Sequence, residues 1–296
     1  MKSSVKVISA LALLLIGSVV FYACSKEKSA GSSVPDNQQH LSLYLSDDPS
    51  IFDKVLLDIK SVEVLVDTCA AKPGRHDDFD EDDHDHPDSL NHHYHCAIWD
   101  TLTIKPGVYD VLKLRNGLDT LLAQGNIPKG KVRKIKIDLG PNNSLVKDSV
   151  SYPLNLPPGA PSYVIIKLRG DECHEYKPDH IHLWLDFDIA RSIIRTYNGK
   201  FYLRPVFHFY TISTTGAIEG EVVPREAVPV ISVYNSTDTA YALPWHEDGG
   251  FKVRGLKEGT YSVFINAGNG YADTTITNVK VTAGKETELG KIRLHK

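Results

Sequence analysis

Between His180 and Asp188 the chain reads HIHLWLDFD. In an extended segment Leu183, Leu185 and Phe187 fall on one side and His182, Trp184, Asp186 and Asp188 on the other, because successive side chains of a strand point to opposite faces. That alternation marks a strand buried on one face. It recurs from Leu41 to Leu45 (LSLYL), from Val132 to Leu139 (VRKIKIDL) and from Tyr163 to Leu168, with Gly, Pro, Asn and Asp between the runs. From His40 to Tyr210 the spacing predicts about nine strands. Helix is expected only in short pieces, at Ile51 to Leu57, Gly117 to Gln124 and Ala190 to Arg195. Many short strands with little helix predict an all-β sandwich or barrel.

Two dipeptides predict hairpins. Asn198-Gly199 lies between Ile193 to Tyr197 and Lys200 to Phe209, and Asn269-Gly270 between Tyr261 to Ala267 and Tyr271 to Ile276. Both fit a turn whose two central residues take positive φ. An unbulged first hairpin would set Asp188 opposite Phe209 and not opposite Arg204.

The chain has 296 residues, enough beyond His40 for two separate cores. A Gly/Thr/Ser break at Ser213 to Gly216 can join them. The expected order is a leader at 1–23, a tether at 24–39, a β-rich domain at 40–212 and a second β-sandwich at 216–296. In the second, Asp248-Gly249 makes a turn, and Phe251 and Val253 share a face. Tyr261, Val263 and Ile265 continue an inward face with period two.

The amino terminus carries Lys2 and Lys6, an apolar run from Val7 to Phe21, then Tyr22-Ala23-Cys24. That order is a signal peptide. The run is shorter than the roughly twenty residues a spanning helix needs. The Ser/Gly/Pro/Asn/Gln composition up to Gln39 cannot bury a core. The net charge of −4 argues against nucleic acid, whose phosphates require a basic surface.

From Arg75 to His95 (RHDDFDEDDHDHPDSLNHHYH) there are eight acidic residues, six histidines and one arginine. The acidity of the chain is thus concentrated in one insertion, at 70–95. His84, His86, His92, His93 and His95, interleaved with Asp80, Asp82 and Asp85, offer donors for zinc, nickel or copper, or oxygen ligands for calcium. The calcium-loop template fails: Asp83 stands where Gly is required and Ser89 where Glu is required. Regular zinc spacing is absent as well. The other reading is a solvated, self-repelling insertion.

After Cys24 three cysteines remain, Cys69, Cys96 and Cys173. Val62 to Val66 and Ile98 to Ile104 read as paired strands, so a Cys69–Cys96 disulfide would close the base of the insertion. In the chain-entropy picture that contributes about 3 to 4 kcal/mol. Cys173, beside His174, is left over. Asp186 and Asp188 would lie about 6.5–7 Å apart along a strand, the carboxylate spacing of an inverting glycosidase or a cation site. Any x-D-x-D strand meets that spacing, so both can equally be structural, satisfying loop amides or a cross-strand Arg. The sequence carries no H-E-x-x-H, G-x-S-x-G, Walker or dinucleotide motif.

Four resemblances add to these readings. Ala23-Cys24 after the apolar run resembles the lipobox of bacterial lipoproteins, with Phe21 in place of the usual Leu, which implies a diacylated Cys24. Ser25-Lys26-Glu27 partly resembles a signal for export to the outer face of the outer membrane. Ser46-Asp47-Asp48-Pro49, Leu114-Arg115-Asn116-Gly117, Leu185-Asp186-Phe187-Asp188-Ile189, Arg191-Ser192 and Leu203-Arg204-Pro205 resemble a family of uncharacterised lipoprotein domains, the domain of unknown function 4382. It implies a β-rich fold and assigns no activity; Asp47, Asp186 and Asp188 become ligand or structural carboxylates. Gly216 to Gly220 (GAIEG), Asp248-Gly249-Gly250-Phe251, Leu256 to Tyr261 and Gly284 resemble the carboxypeptidase regulatory-like (transthyretin-like) domain, an Ig-like sandwich of about seven strands. Metallocarboxypeptidase zinc spacing does not accompany it. The expectation is an all-β protein of two β-sandwich domains in tandem. It is a non-catalytic lipoprotein of the outer membrane, surface-exposed, that binds a glycan, a peptide or an envelope protein. No cofactor is required; the alternative is a divalent-metal binder using the insertion.

Overall fold

The computed structural model describes residues 34–47, 50–68, 96–168, 180–245 and 247–296. Among the described residues fourteen strands precede residue 211. They are β1 (Gln38–Asp47), β2 (Lys54–Asp67), β3 (Ala97–Thr101), β4 (Thr103–Ile104), β5 (Gly107–Asp110), β6 (Thr120–Pro128) and β7 (Lys131–Leu139), then β8 (Ser144–Lys147), β9 (Val150–Asn155), β10 (Tyr163–Lys167), β11 (His180–Phe187), β12 (Ile193–Arg195), β13 (Phe201–Leu203) and β14 (Phe207–Tyr210). A helical turn, α1 (Ile189–Ser192), lies directly before β12. One sheet runs β14-β11-β1-β6-β4 and the other β10-β7-β2-β8-β9-β13-β12, with β3 and β5 also paired to β2. No helix among the described residues is long and apolar enough to cross a membrane.

The two sheets close on one core. Leu41, Leu43 and Leu45 of β1, Leu57, Ile59 and Val64 of β2, Ile135 and Ile137 of β7, and Leu183, Leu185 and Phe187 of β11 are all fully buried there. Burying such side chains contributes about 1.5–3 kcal/mol each. The predicted alternation in β1, β7 and β11 is therefore the pattern that faces the core.

Several expectations are corrected. Ile51 to Leu57 is not helical, since β2 begins at Lys54, and Gly117 to Gln124 leads into β6 from Thr120. Short apolar runs suit either period, and pairing decides: β2 hydrogen-bonds to β3, β5, β7 and β8. Strands outnumber the expected nine because runs break where the chain changes sheet. Lys200 to Phe209 is one such run, split at Arg204–Val206 between β13 and β14. The Asn198-Gly199 hairpin exists, yet only Gly199 has positive φ, at 80°. The loop closes through Gly199 N–H to Thr196 O at 3.0 Å and Thr196 N–H to Lys200 O at 2.9 Å, and Ile193 opposes Leu203. Phe209 consequently faces Leu185 and not Asp188.

Among the described residues the second sandwich has seven strands. β15 (Gly216–Val223), β18 (Gly250–Leu256) and β21 (Glu286–Arg293) make one sheet, and β16 (Val230–Tyr234), β17 (Thr239–Ala242), β19 (Gly259–Asn266) and β20 (Thr274–Val281) the other. Ile218, Phe251, Val253, Tyr261, Val263 and Ile265 fill its core. The Tyr261 hydroxyl donates to Lys257 O at 3.0 Å, which satisfies the one polar atom of a buried ring. At Asn269-Gly270 both residues have positive φ, 54° and 78°, as the sequence predicts, and Tyr271 N–H closes the turn on Gly268 O at 3.1 Å. Gly249 must be glycine twice over: its φ is +81°, and a Cβ would lie 2.3 Å from Val222 O.

Candidate functional site

The carboxylates singled out by sequence do not converge. Asp47 shares the parity of Leu41, Leu43 and Leu45 and is buried on the core side of β1, whereas Asp186 lies on the outer side of β11, where Ser46 Oγ donates to it at 3.4 Å. Asp188 caps α1. Its Oδ1 accepts the Arg191 N–H at 2.9 Å, and its Oδ2 lies 3.2 Å from His208 Nε2 and 3.5 Å from Arg191 Nε. A carboxylate held by a helix amide, a guanidinium and an imidazole does a structural job.

The outer face of the five-stranded sheet carries a row the sequence reading missed. Tyr210, Trp184, Tyr44 and Leu121 stand opposite one another on β14, β11, β1 and β6. Tyr44 stacks on Trp184 at 4.9 Å and 13°, and Trp184 on Tyr210 at 6.1 Å and 19°. The even-numbered aromatics were visible in the strings; that β1 and β11 run parallel and in this register was not.

The row ends at the second sandwich. Asp119 Oδ2 accepts both Trp184 Nε1–H at 2.9 Å and Arg254 Nη1–H at 2.8 Å. Tyr210 lies under Gly255, where a Cβ would come within 3.1 Å of its ring, and burial pushes the Tyr210 hydroxyl up to about 12. Asn116 Nδ2–H donates to Leu243 O at 2.7 Å, and Arg115 sits 5.1 Å over Trp245. The row is a joint: Trp184 has both faces covered. Asp119→Ala strands two donors in this joint, and since bonds to a charged acceptor contribute about 1.5–3 kcal/mol, the expected result is a calorimetric transition that moves down and divides in two. An unchanged single transition would show that the contact does not couple the sandwiches.

Beyond Tyr44 the same face continues in imidazoles and carboxamides. His40 and His180 lie 6.0 Å apart, His182 lies 6.2 Å from Tyr44, and His40 Nδ1 is 2.8 Å from Asn126 Oδ1. Among the described residues no group of three or more His, Cys, Asp or Glu side chains is arranged to hold a metal.

The two outer faces of the second sandwich differ in kind. On the three-stranded sheet Lys252 pairs with Glu219 at 3.0 Å and also with Glu286, while Lys291 pairs with Glu221 at 2.8 Å. Lys252 holds the Glu286 carboxyl below its ordinary 4.5. The four-stranded sheet instead presents the cross-strand rows Tyr241–Ser232–Phe264–Thr275 and Thr239–Tyr234–Ser262. Charge enters one row on at either end, where Lys280 opposes Thr260 and where the Asn266 amide donates to Asp273 at 3.3 Å. An open depression of about 740 Å³ lies here, lined by Tyr234, Asn235, Thr260, Ser262, Thr277 and Asn278 among others.

The chain enters and leaves the acidic insertion at one point. The Thr68 N–H and hydroxyl both donate to Cys96 O, at 2.9 and 2.8 Å, and Arg133 bridges to Asp67 at 2.9 Å. The expected pairing of β2 with β3 is present, in register Val64↔Asp100. Cys24, Cys69, Cys173 and the donors Asp80, Asp82, Asp85, His84, His86, His92, His93 and His95 lie outside the described residues.

Residues 214–289 match the family described as polysaccharide lyase family 4, domain II, which corrects the carboxypeptidase regulatory-like expectation. The residues behind that expectation, Gly249, Phe251, Tyr261 and Val263, are turn and core residues of the sandwich and do not discriminate between families that share the architecture. No curated protein matches the chain. Among solved structures, the chain is similar to the Bacillus anthracis TIE protein at 10% identity and a TM-score of 0.20, with 88% of this chain and 34% of that one covered, so it spans about a third of its length. It is also similar to the shaft pilin SpaA of Lactobacillus rhamnosus GG (10% identity, TM-score 0.21, 87% and 97% covered) and to a minor pilin of Streptococcus agalactiae (12%, 0.21, 86% and 95%). Scores at this level imply no common topology. Residues 38–205, more than half of the chain, match the family described as Domain of unknown function (DUF4382), and the chain belongs to that family.

Proposed function

We propose that this protein is a non-catalytic, glycan-binding module of the cell envelope. It is held to the outer membrane through a lipid on Cys24, with a Cys69–Cys96 disulfide closing the insertion where Thr68 already bonds to Cys96. It requires no cofactor. The observation that carries the reading is the sheet face of exposed tyrosines among hydroxyl and carboxamide side chains, because amphipathic rings beside neutral donors and acceptors suit a hydroxylated ligand. The match of the same segment to a domain of polysaccharide lyases supports the glycan class. Asp188, capping α1, supports the absence of hydrolysis.

The test uses the purified mature protein and the polysaccharide fraction of the envelope. The expected result is retention of the polymer with its size distribution unchanged. Shortening of the polymer that Asp186→Asn abolishes would overturn the non-catalytic reading, and no retention at all would overturn the binding one. In cells, Cys24→Ser is expected to move the protein from the membrane to the soluble fraction; continued membrane association would sink the lipid anchor.

A further inference from the structure

We infer that the outer face of the four-stranded sheet, β17-β16-β19-β20, is the binding face, and that its ligand is an uncharged polysaccharide; this rests on the glycan-binding reading above. The two faces of the second sandwich supply the contrast. An ordinary solvated sheet face is dressed in charge, as the three-stranded sheet is, with Lys252 and Lys291 paired to glutamates. On the opposite sheet seven consecutive outward positions in two rows hold no charge, and two of them hold large rings left in water. Tyr241 is 52% and Tyr234 39% exposed. Contiguous exposed aromatic surface of this kind marks a contact site.

The spacing suggests what fits. Ser232 stands between Tyr241 and Phe264 on adjacent strands, so their backbone positions are two strand spacings apart, roughly 9.5 Å. A narrow hydroxyl floor lies between aromatic walls and continues past Tyr234 and Ser262 into the depression beside Asn278. Aliphatic ring faces can pack on the tyrosines while Ser, Thr and Asn exchange hydrogen bonds with sugar hydroxyls. An acidic polymer would need compensating cations, and the rows contain none. A protein partner's apolar side chains would leave the serine and threonine hydroxyls without partners.

The experiment is affinity electrophoresis of the full mature protein through gels containing neutral polymers (hydroxyethyl cellulose, galactomannan, dextran) or charged ones (polygalacturonate, heparin). Slowing by at least one neutral polymer, insensitive to salt, is expected. Tyr241→Ala and Tyr234→Ala should each weaken it about tenfold, while Leu121→Ala on the first sandwich leaves it unchanged. Both tyrosines are exposed, and circular dichroism of each variant checks that the fold is kept. Slowing by charged polymers alone, or by neutral polymers with no response to either tyrosine, overturns this face and leaves the glycan reading standing. No slowing by any polymer, with no retention of envelope polysaccharide, removes both. A dimer in sedimentation that Tyr241→Ala dissociates, without polymer binding, assigns the face to a second copy of the chain and overturns the proposal.

Discussion

Phe187→Ala is expected to destabilise the first sandwich by about 3–5 kcal/mol, the range for truncating a fully buried aromatic. Phe187 is inaccessible to solvent and closes the inward face of β11, a strand paired on both sides, to β1 and to β14. Its ring centroid lies 5.1 Å from that of Phe207, so the truncation leaves a void and strips Phe207 of its neighbour. The backbone pairs hold the surrounding strands in place, and the site cannot collapse to fill the gap. Urea unfolding should show a lower midpoint with an unchanged slope. Phe187→Leu, which keeps most of the volume, should cost well under half as much. A loss below about 1 kcal/mol for the alanine variant would mean that the inward face of β11 is not packed as described.

The same strand shows how far the sequence could be read. Its inward set was legible because period two is a local property, and so were β1 and β7. The helical expectation at Ile51 to Leu57 failed for a non-local reason, since the start of β2 is fixed by β8 and β5, distant in sequence. The outward set had a second layer of meaning that no local pattern carries. Tyr44 and Trp184 are 140 residues apart by number and stack only because β1 and β11 are parallel and in register. Asp119 and Arg254 belong to different sandwiches, and nothing in the sequence around either points to the other. The face of the second sandwich was nearer to legible. Phe251, Val253, Tyr261, Val263 and Ile265 were assigned to the core, which by parity turns Ser262 and Phe264 outward; the missing step was that β16 and β17 bring Tyr234 and Tyr241 to the same side. The motif search, by contrast, weighed Asp186 and Asp188 as a pair because spacing alone cannot tell a helix cap from a catalytic carboxylate.

Asp58→Ala is expected to cost about 2–3 kcal/mol at neutral pH, by loss of bonds to a charged acceptor, and the cost should fall away in acid. Asp58 is buried in β2 and organises the turn that follows β7. Its Oδ2 accepts the Asn142 N–H at 3.1 Å, its backbone N–H donates to Asn143 Oδ1 at 2.8 Å, and its carbonyl accepts the Gly140 N–H at 2.7 Å. A Cβ on residue 140 would lie 2.2 Å from Oδ2, so the turn is built around this carboxylate. The Lys60 ammonium, 2.9 Å away, is the main reason its carboxyl sits below the ordinary 3.8, with the Asn142 amide adding to it and burial opposing. A carboxyl depressed in the folded state stabilises the fold fully above its unfolded value. That contribution disappears as pH falls through the lower, folded value. The window therefore opens near pH 4 and lies below it. Half of Lys60 is in water, so the ion pair is discounted for screening, and the loss is shared between it and the Asn142 N–H that the side chain accepts. Asp58→Asn keeps a carbonyl for Asn142 and drops the charge. Its stability deficit against the parent, measured by urea unfolding at pH 7 and at pH 3, should shrink at the lower pH. A deficit equal at both would show that folding does not lower the Asp58 carboxyl, and the account of the turn would fail with it.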